Sequence, residues 1–343
     1  MDVLIINPPI RLDDKPRHIP HGLAILANII RSKLDIMPAF LDVNAHRYSE
    51  GEVEKAIESI DFDVVLIGGL VPTYGRIIKL ARFIRFVNPD ARIIAGGSAA
   101  MSMPRVLLEN SEIDIICTDE GEITVVELLR RLDKGLNAPL DDISGICYKG
   151  KNGNDKVVFN QPQPLIQNLD EQSALPAYDL LPMEIYLSNP VVGVGRDVDF
   201  ISSRGCPYHC TFCYQPWGRR FRSHSVDFMT DVLMFLKKKY NIDFVSFQDD
   251  EFMVNKERVR EFCEKRNRLL PDLLWSCTGR ASIVAHDEQI VKLMKNSGCV
   301  LIGYGFESGS QRMLDSMNKR QTIAEMERTV EISRKYRLPA IAR

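Results

Sequence analysis

Three cysteines fall within eight residues, in the run Ser203-Arg204-Gly205-Cys206-Pro207-Tyr208-His209-Cys210-Thr211-Phe212-Cys213-Tyr214. A C-x3-C-x2-C spacing on one short loop offers three thiolates to a metal centre, with no fourth cysteine following nearby. A structural zinc ion wants four protein ligands closed into a tetrahedron. Iron–sulfur clusters are held by cysteine thiolates, usually four. His209 is adjacent to Cys210, so it is poorly placed to reach the same metal. The economical reading is a cluster with one iron left open. An open coordination position is what a catalytic metal site keeps for its substrate or cofactor.

The remaining five cysteines (Cys117, Cys147, Cys263, Cys277 and Cys299) are isolated among apolar neighbours, and they read as buried small hydrophobes. Eight cysteines so unevenly spread over 343 residues are no disulfide scaffold. A reducing cytoplasm is the compartment expected. Hydrophobic residues at 45% and charged ones at 26% place the chain among soluble globular proteins and exclude disorder as its main state. No apolar run is long enough to span a membrane, and the N-terminus lacks the pattern of a signal peptide. The net charge of −2 hides an asymmetry. Residues 1–195 hold 19 basic and 27 acidic side chains, whereas residues 196–343 hold 25 and 19. Neither balance suits a nucleic-acid protein, and the contrast suggests two units with different ligands.

The elements that must position the cysteines follow from periodicity. Short apolar runs at Val3–Ile6, Ala39–Val43, Val64–Ile67, Ile93–Ala95 and Ile113–Cys117 alternate with stretches of helical spacing. That alternation predicts βαβ units in a doubly wound, flavodoxin-like parallel sheet over residues 1–140. Ligands bind such sheets at the carboxyl ends of the strands, where Asp42, Thr73, Gly96-Gly97-Ser98 and Glu120-Gly121-Glu122 should gather. Residues 141–192 read as a β-hairpin, Ile146–Tyr148 with Val157–Phe159, followed by a proline-rich connector. From 193 to 343 the βα rhythm resumes, with strands at Val198–Ser202, Phe244–Phe247, Leu274–Cys277 and Val300–Phe306. Each ends in polar residues, as the active face of a β/α barrel does. Leu338–Ile341 starts a fifth strand, so an incomplete barrel, truncated in that strand, is expected.

The cysteine loop after a first barrel strand, closed by an aromatic residue, resembles the radical S-adenosylmethionine (SAM) superfamily. The flanking Arg204-Gly205, the run from Tyr214 to Arg222, Phe247-Gln248-Asp249-Asp250-Glu251-Phe252 and Gly305-Phe306-Glu307-Ser308-Gly309 are similar to the subgroup with an N-terminal cobalamin-binding domain. The resemblance covers essentially the whole chain. It implies that Cys206, Cys210 and Cys213 hold a 4Fe-4S cluster whose open iron SAM chelates. It also implies reductive cleavage of SAM to a 5′-deoxyadenosyl radical, with electrons from a flavodoxin- or ferredoxin-type donor. By the same resemblance Tyr214 lies near the adenine, Asp249 and Asp250 take the SAM amino group, and Arg280 pairs with its carboxylate. Glu307 and Ser308 take the ribose hydroxyls or the amino group. A carboxylate suits an ammonium because the hydrogen bond is charge-assisted.

For the first domain the resemblance implies cobalamin, with Gly96 and Gly97 letting the backbone approach its nucleotide tail and Glu120-Gly121-Glu122 matching a further family element. No D-x-H-x-x-G occurs, so cobalt should have no histidine beneath it, and His18 and His21 read as ordinary loop residues. The function expected is methylation of an unactivated carbon in a small-molecule or peptide substrate. Ring closure or oxidative rearrangement without methyl transfer is the alternative enzyme, and a non-catalytic iron–sulfur or cobalamin-sensing module the alternative of another class. Methylthiotransferases of this kind use three more N-terminal cysteines, and residues 1–116 have none.

Overall fold

The run Val3–Asn7 forms the first strand, β1, and all five of its residues are buried. The computed structural model describes the chain apart from residues 12, 151–156, 173, 174, 193, 217 and 343 and the side chain of Gln172. It divides into two units. The first comprises Met1–Pro16, Pro20–Gln167 and Glu171–Ile185, the second Arg17–Ile19, Asn168–Asp170 and Tyr186–Arg343.

In the first unit β1 pairs in parallel with β2 (Ala39–Asp42) and β3 (Val64–Ile67), and β4 (Arg92–Ala95) and β5 (Ile115–Cys117) follow in the order β2-β1-β3-β4-β5. This is the flavodoxin-like order expected. Successive side chains of a strand point to opposite faces, and here both faces are apolar. Leu4, Ile6, Val65, Ile67 and Ile93 enter one core with Ile57, Ile77, Ala81, Ile84 and Leu107. Val3, Ile5, Val64, Leu66 and Ile94 enter the other with Ala27, Ile30, Leu128 and Leu129. Helices Glu50–Glu58, Tyr74–Val87 and Pro104–Asn110 therefore cover one face, and His21–Leu34 and Gly121–Asp133 the other.

Most strand bounds differ from the sequence reading by one or two residues, and two details of the first sheet go beyond it. β2 stops at Asp42, because its carboxylate accepts Ala45 N–H at 3.0 Å and caps the helical turn Val43–His46. The hairpin, β6 (Ile146–Lys149) and β7 (Val157–Phe159), pairs antiparallel onto β5 and extends the sheet to seven strands. Its turn, 151–156, lies outside the described residues. The addition satisfies the outer backbone groups of β5, which an edge strand would leave unpaired.

The second unit holds five parallel strands in chain order: β8 (Asp197–Phe200), β11 (Phe244–Phe247), β12 (Leu274–Gly279), β13 (Cys299–Tyr304) and β14 (Ala340–Ala342). Between β8 and β11 lies a short antiparallel pair, β9 (Ser203–Arg204) and β10 (Arg222–Ser223). Helices Val226–Tyr240, Lys256–Leu269, Glu288–Asn296 and Ile323–Lys335 connect successive parallel strands. Their starts carry the expected caps: Ser225, Asn255 and Asp287 each accept a first-turn N–H, and Thr322 with Glu325 forms a capping box. Among the described residues the sheet is open, with β8 and β14 as its edges, which is the partial barrel expected. None of the described helices is long and apolar enough to cross a membrane.

The two faces of this sheet differ. Phe247 and Trp275 pack with Phe252 and Phe262 under the helices, ring centroids 4.6–6.1 Å apart. Ser246 and Ser276 alternate onto the other face, where Ser246 Oγ lies 3.0 Å from both oxygens of Asp197 and 3.4 Å from Ser276 Oγ. A polar inner face is what a barrel that receives a ligand needs, and the aromatic face supplies the apolar burial that stabilises it.

Candidate functional site

The cysteine loop runs from β9 to β10, whose pairing (Arg204 with Arg222, Ser203 with Ser223) pins its two ends together. At its start Gly205 has φ +81°, and a Cβ there would lie 2.4 Å from the carbonyl oxygen of Arg220. Both facts demand glycine, since a left-handed conformation costs other residues about 1–2 kcal/mol before any clash. Gly205→Ala is expected to keep the far-UV circular dichroism of the wild type while retaining several-fold less iron after anaerobic reconstitution and desalting.

Cys210 is buried, Cys206 half-buried and Cys213 exposed, and all three are free thiols. Burial raises the thiol pKa of Cys206 and Cys213, so neighbouring positive charge or a bound metal must favour the thiolates. Arg280, just after β12, supplies such charge: its Nη1 lies 3.9 Å from Cys210 Sγ, and its guanidinium stacks 4.0 Å over the Tyr208 ring. The same side chain donates to Ser282 Oγ (3.1 Å) and Arg320 O (3.0 Å). A strap, Met317 to Arg320, lies over the loop. Thr211 N–H donates to Met317 O (2.9 Å), Asn318 Nδ2 donates to His209 O (2.8 Å), and Lys319 Nζ sits 5.8 Å over the Phe212 ring. Asn318 and Arg320 are left-handed, with φ of 49° and 50°, the kind of local strain that surrounding contacts hold in place at functional sites.

A structural zinc ion wants four protein ligands, and this loop supplies three cysteines. A cluster takes one thiolate per iron, so three sulfurs spread along a braced loop fit it. The donor set, three unpaired cysteines and no fourth, matches a cluster with one open iron.

The structure distributes the other predicted site residues unevenly. Asp249 is buried at the root of the loop, where Oδ1 accepts the Ser202 and Ser203 N–H groups and Oδ2 accepts the Ser202 hydroxyl. Asp250 is exposed and within hydrogen-bonding reach of Gly205 N–H. Arg280 is engaged with Cys210, Tyr208, Ser282 and Arg320 as described. Tyr214 is 53% exposed beside Cys213. Glu307 has φ +63° and accepts from Lys319 Nζ at 3.0 Å, while Ser308 Oγ accepts Ser310 N–H at 3.1 Å. Trp217, in the run after the cysteines, lies outside the described residues.

Sequence reasoning passed over Lys319, Ser202 and Arg258, and named Glu251 only as part of the run Asp249-Asp250-Glu251. Glu251 is buried beside Arg280, its Oε1 accepting Met253 N–H at 3.2 Å. Burial pushes its carboxyl up from 4.5 to about 7, against the pull of Arg280 and Lys319. The unfolded chain therefore ionises first, so stability from this group is full below pH 4.5 and is lost as pH rises through 7. In the metal-free protein Glu251→Gln should be as stable as the wild type at pH 4 and more stable at pH 8, by on the order of 3 kcal/mol at most. Thermal unfolding at the two pH values checks this.

At the carboxyl edge of the first unit, Asp42 Oδ1 accepts from Asn7 Nδ2 at 2.8 Å, and Thr73 is buried with Oγ1 donating to Leu70 O at 2.7 Å. Gly97 (φ +82°) presses on Gly69, where a Cβ would meet the Gly69 oxygen at 2.7 Å. A Cβ on Gly96, by contrast, would meet nothing within 4 Å. Ser98 opens a five-residue helix. Glu120 and Glu122 are buried, Glu120 accepting Ile166 N–H at 2.7 Å, and a Cβ added at Gly121 would make only ordinary contact with Leu26. Of the adjacent pair Gly96 and Gly97, Gly96 is thus the one with room for a side chain, and Leu70 and Val71, 43% and 42% exposed, follow β3 at the same edge.

Comparison with known proteins agrees with this geometry. The family model for the radical SAM superfamily matches residues 200–342, and that for the B12 binding domain matches residues 10–129. An uncharacterized methyltransferase of Pyrococcus horikoshii is 32% identical over 99% of this chain and 73% of its own length. An anaerobic magnesium-protoporphyrin IX monomethyl ester cyclase of Rubrivivax gelatinosus is 28% identical, covering 91% of this chain and 56% of the relative. Among solved structures, the cobalamin-dependent S-adenosylmethionine radical enzyme OxsB with aqua-cobalamin bound superposes with a TM-score of 0.84 at 20% identity, over 99% of this chain and 49% of that one. This chain therefore spans about half to three-quarters of the length of the proteins it matches. The two family matches lie one after the other along the chain, the match to the Pyrococcus horikoshii relative runs along nearly its whole length, and the chain belongs to the radical SAM superfamily, in the subgroup with an N-terminal cobalamin-binding domain.

Proposed function

We propose that the protein is a cobalamin-dependent radical SAM methyltransferase acting on an unactivated carbon of a small molecule or peptide. The observation that carries this reading is the presence, in one chain, of a braced three-cysteine loop and a flavodoxin-like sheet with an open glycine at its carboxyl edge. When bound, the cluster supplies the electron that cleaves SAM to a 5′-deoxyadenosyl radical, and cobalamin supplies the methyl carrier. Cys206, Cys210 and Cys213 hold the cluster, one thiolate per iron. Arg280 offsets thiolate charge at Cys210. Glu307 and the exposed Asp250 and Tyr214 border the open side, where they are available to the amino, hydroxyl and adenine groups of SAM. Gly96 admits the cobalamin tail, and Leu70 and Val71 offer apolar cover.

The cyclase of Rubrivivax gelatinosus supports a second reading, radical ring closure or oxidative rearrangement without methyl transfer. A one-electron reductant of flavodoxin or ferredoxin type, and a cytoplasmic setting that keeps the thiols reduced, belong to either reading. The test is anaerobic reconstitution with iron, sulfide and hydroxocobalamin, followed by incubation with methyl-labelled SAM and a reductant. The expected result is near-stoichiometric cobalt, 5′-deoxyadenosine release and label on the cobalamin. Iron and 5′-deoxyadenosine without cobalt or labelled cobalamin would overturn methyl transfer and leave the second reading. No 5′-deoxyadenosine at all would point to a sensing module instead.

A further inference from the structure

The two ends of the cysteine loop meet over a buried polar latch. Asp249 Oδ1 accepts the N–H groups of Ser202 (2.6 Å) and Ser203 (2.7 Å), and Oδ2 accepts Ser202 Oγ–H at 2.5 Å. Arg258, from helix Lys256–Leu269, donates through Nη2 to Ser202 O (3.1 Å) and to Ser202 Oγ, and through Nε to His224 O (3.3 Å). Its guanidinium lies 5.3 Å from the centre of the Phe252 ring. His224 N–H donates to Ser202 O at 3.0 Å, and His224 Nδ1 is 2.8 Å from Asp170 Oδ1. Asp249, Ser202, Arg258 and His224 are each at most 6% exposed.

We propose that Asp249 and Arg258 are positioning residues for the cluster. They clamp Ser202 and His224, the residues on either side of the loop, so that the three thiolates are presented in one arrangement before iron arrives. A buried carboxylate and guanidinium are costly to desolvate, and the arrangement holds because both Asp249 oxygens and the Nε and Nη2 of Arg258 are hydrogen-bonded, Nη1 alone lacking a partner among the described residues, and because each charge lies in the other's field. The clamp acts at a distance from the sulfurs: it touches backbone and hydroxyl atoms of Ser202 and Ser203, and reaches Cys206 only through Arg204 and the constrained turn at Gly205. This assignment rests on the cluster reading of the cysteines, and it gives Asp249 a task other than contacting SAM.

The test compares wild type with Asp249→Asn, Arg258→Gln and the milder Ser202→Ala, which removes only the hydroxyl shared by the two charged groups. Iron per chain in the wild type tests the cluster reading on its own, with about four expected. In each variant that folds, hydrogen exchange of the backbone amides at positions 202 and 203 in metal-free protein should accelerate. Loss of iron to a chelator should become about 10-fold faster, the scale seen when partners behind metal ligands are removed. The electron paramagnetic resonance signal of the reduced cluster should also shift, which a merely destabilised fold with an intact site would not produce. If Asp249→Asn or Arg258→Gln fails to fold, Ser202→Ala carries the test. Wild-type exchange, iron retention and spectrum in folded Ser202→Ala would overturn the proposal, even if the wild type binds its full complement of iron.

Discussion

Cys210→Ala is expected to abolish 5′-deoxyadenosine formation from SAM in protein reconstituted with iron and sulfide. Cys210 is the buried member of the trio and the one beside Arg280. Alanine removes a thiolate outright and leaves one iron without a protein ligand, so the rate should fall by more than about 100-fold, beyond the loss caused by removing an outer partner. The fold should survive, because the change deletes one sulfur from a loop. Cys263→Ala provides the contrast. That thiol is fully buried in helix Lys256–Leu269, where burial raises its pKa to about 12 and makes it inert. Its loss should cost stability on the order of 1 kcal/mol through a small cavity and leave iron binding and SAM cleavage untouched. Product analysis, iron content and melting of the two variants separate ligand from core. Equal activity in wild type and Cys210→Ala would falsify the catalytic reading.

The second large effect is expected at two adjacent glycines with opposite outcomes. Gly97→Ala should destabilise the first unit by on the order of 3 kcal/mol or more. Its φ of +82° with ψ of −175° belongs to a region that side chains other than glycine avoid, and the added Cβ would lie 2.7 Å from the Gly69 oxygen. Gly69 O cannot easily retreat, since it accepts Ala99 N–H at 3.1 Å. Gly96→Leu should leave the melting curve near that of the wild type, because the space beyond its Cα is open. It should nevertheless lose most of the cobalt taken up from hydroxocobalamin, because the new side chain occupies the approach to the strand ends. Wild-type cobalt content in Gly96→Leu would place the cobalamin elsewhere.

Much of the architecture was legible in the residues. The runs that became β1 to β5 are apolar on both faces, so only a sheet covered by helices on each side could bury them. The hairpin β6–β7 was visible from its strands, but its pairing to β5 was not, since nothing local states which sheet an edge will join. The boundary of β2 was misplaced by one residue because Asp42 reads as a strand end until its carboxylate is seen to cap Ala45.

Within the site, the cysteine trio could be read from spacing alone, because thiolate chemistry is carried by residue type and three such residues in one loop leave little else to do. The acidic run Asp249-Asp250-Glu251 could not be resolved in this way. Three neighbouring carboxylates look equivalent in a sequence, yet one is buried against Ser202 and Ser203, one is exposed near Gly205, and one is buried against Arg280. Arg258 gave no signal at all, since an arginine in a polar helix ordinarily faces water. The residue types and their periodicity thus determined the two sheets and singled out the three-cysteine loop, and the class of chemistry followed from the family its motifs resemble. Tertiary structure alone decided which charged groups serve the cysteine loop and which face a ligand, because burial and hydrogen-bond partners depend on what the fold brings alongside each side chain.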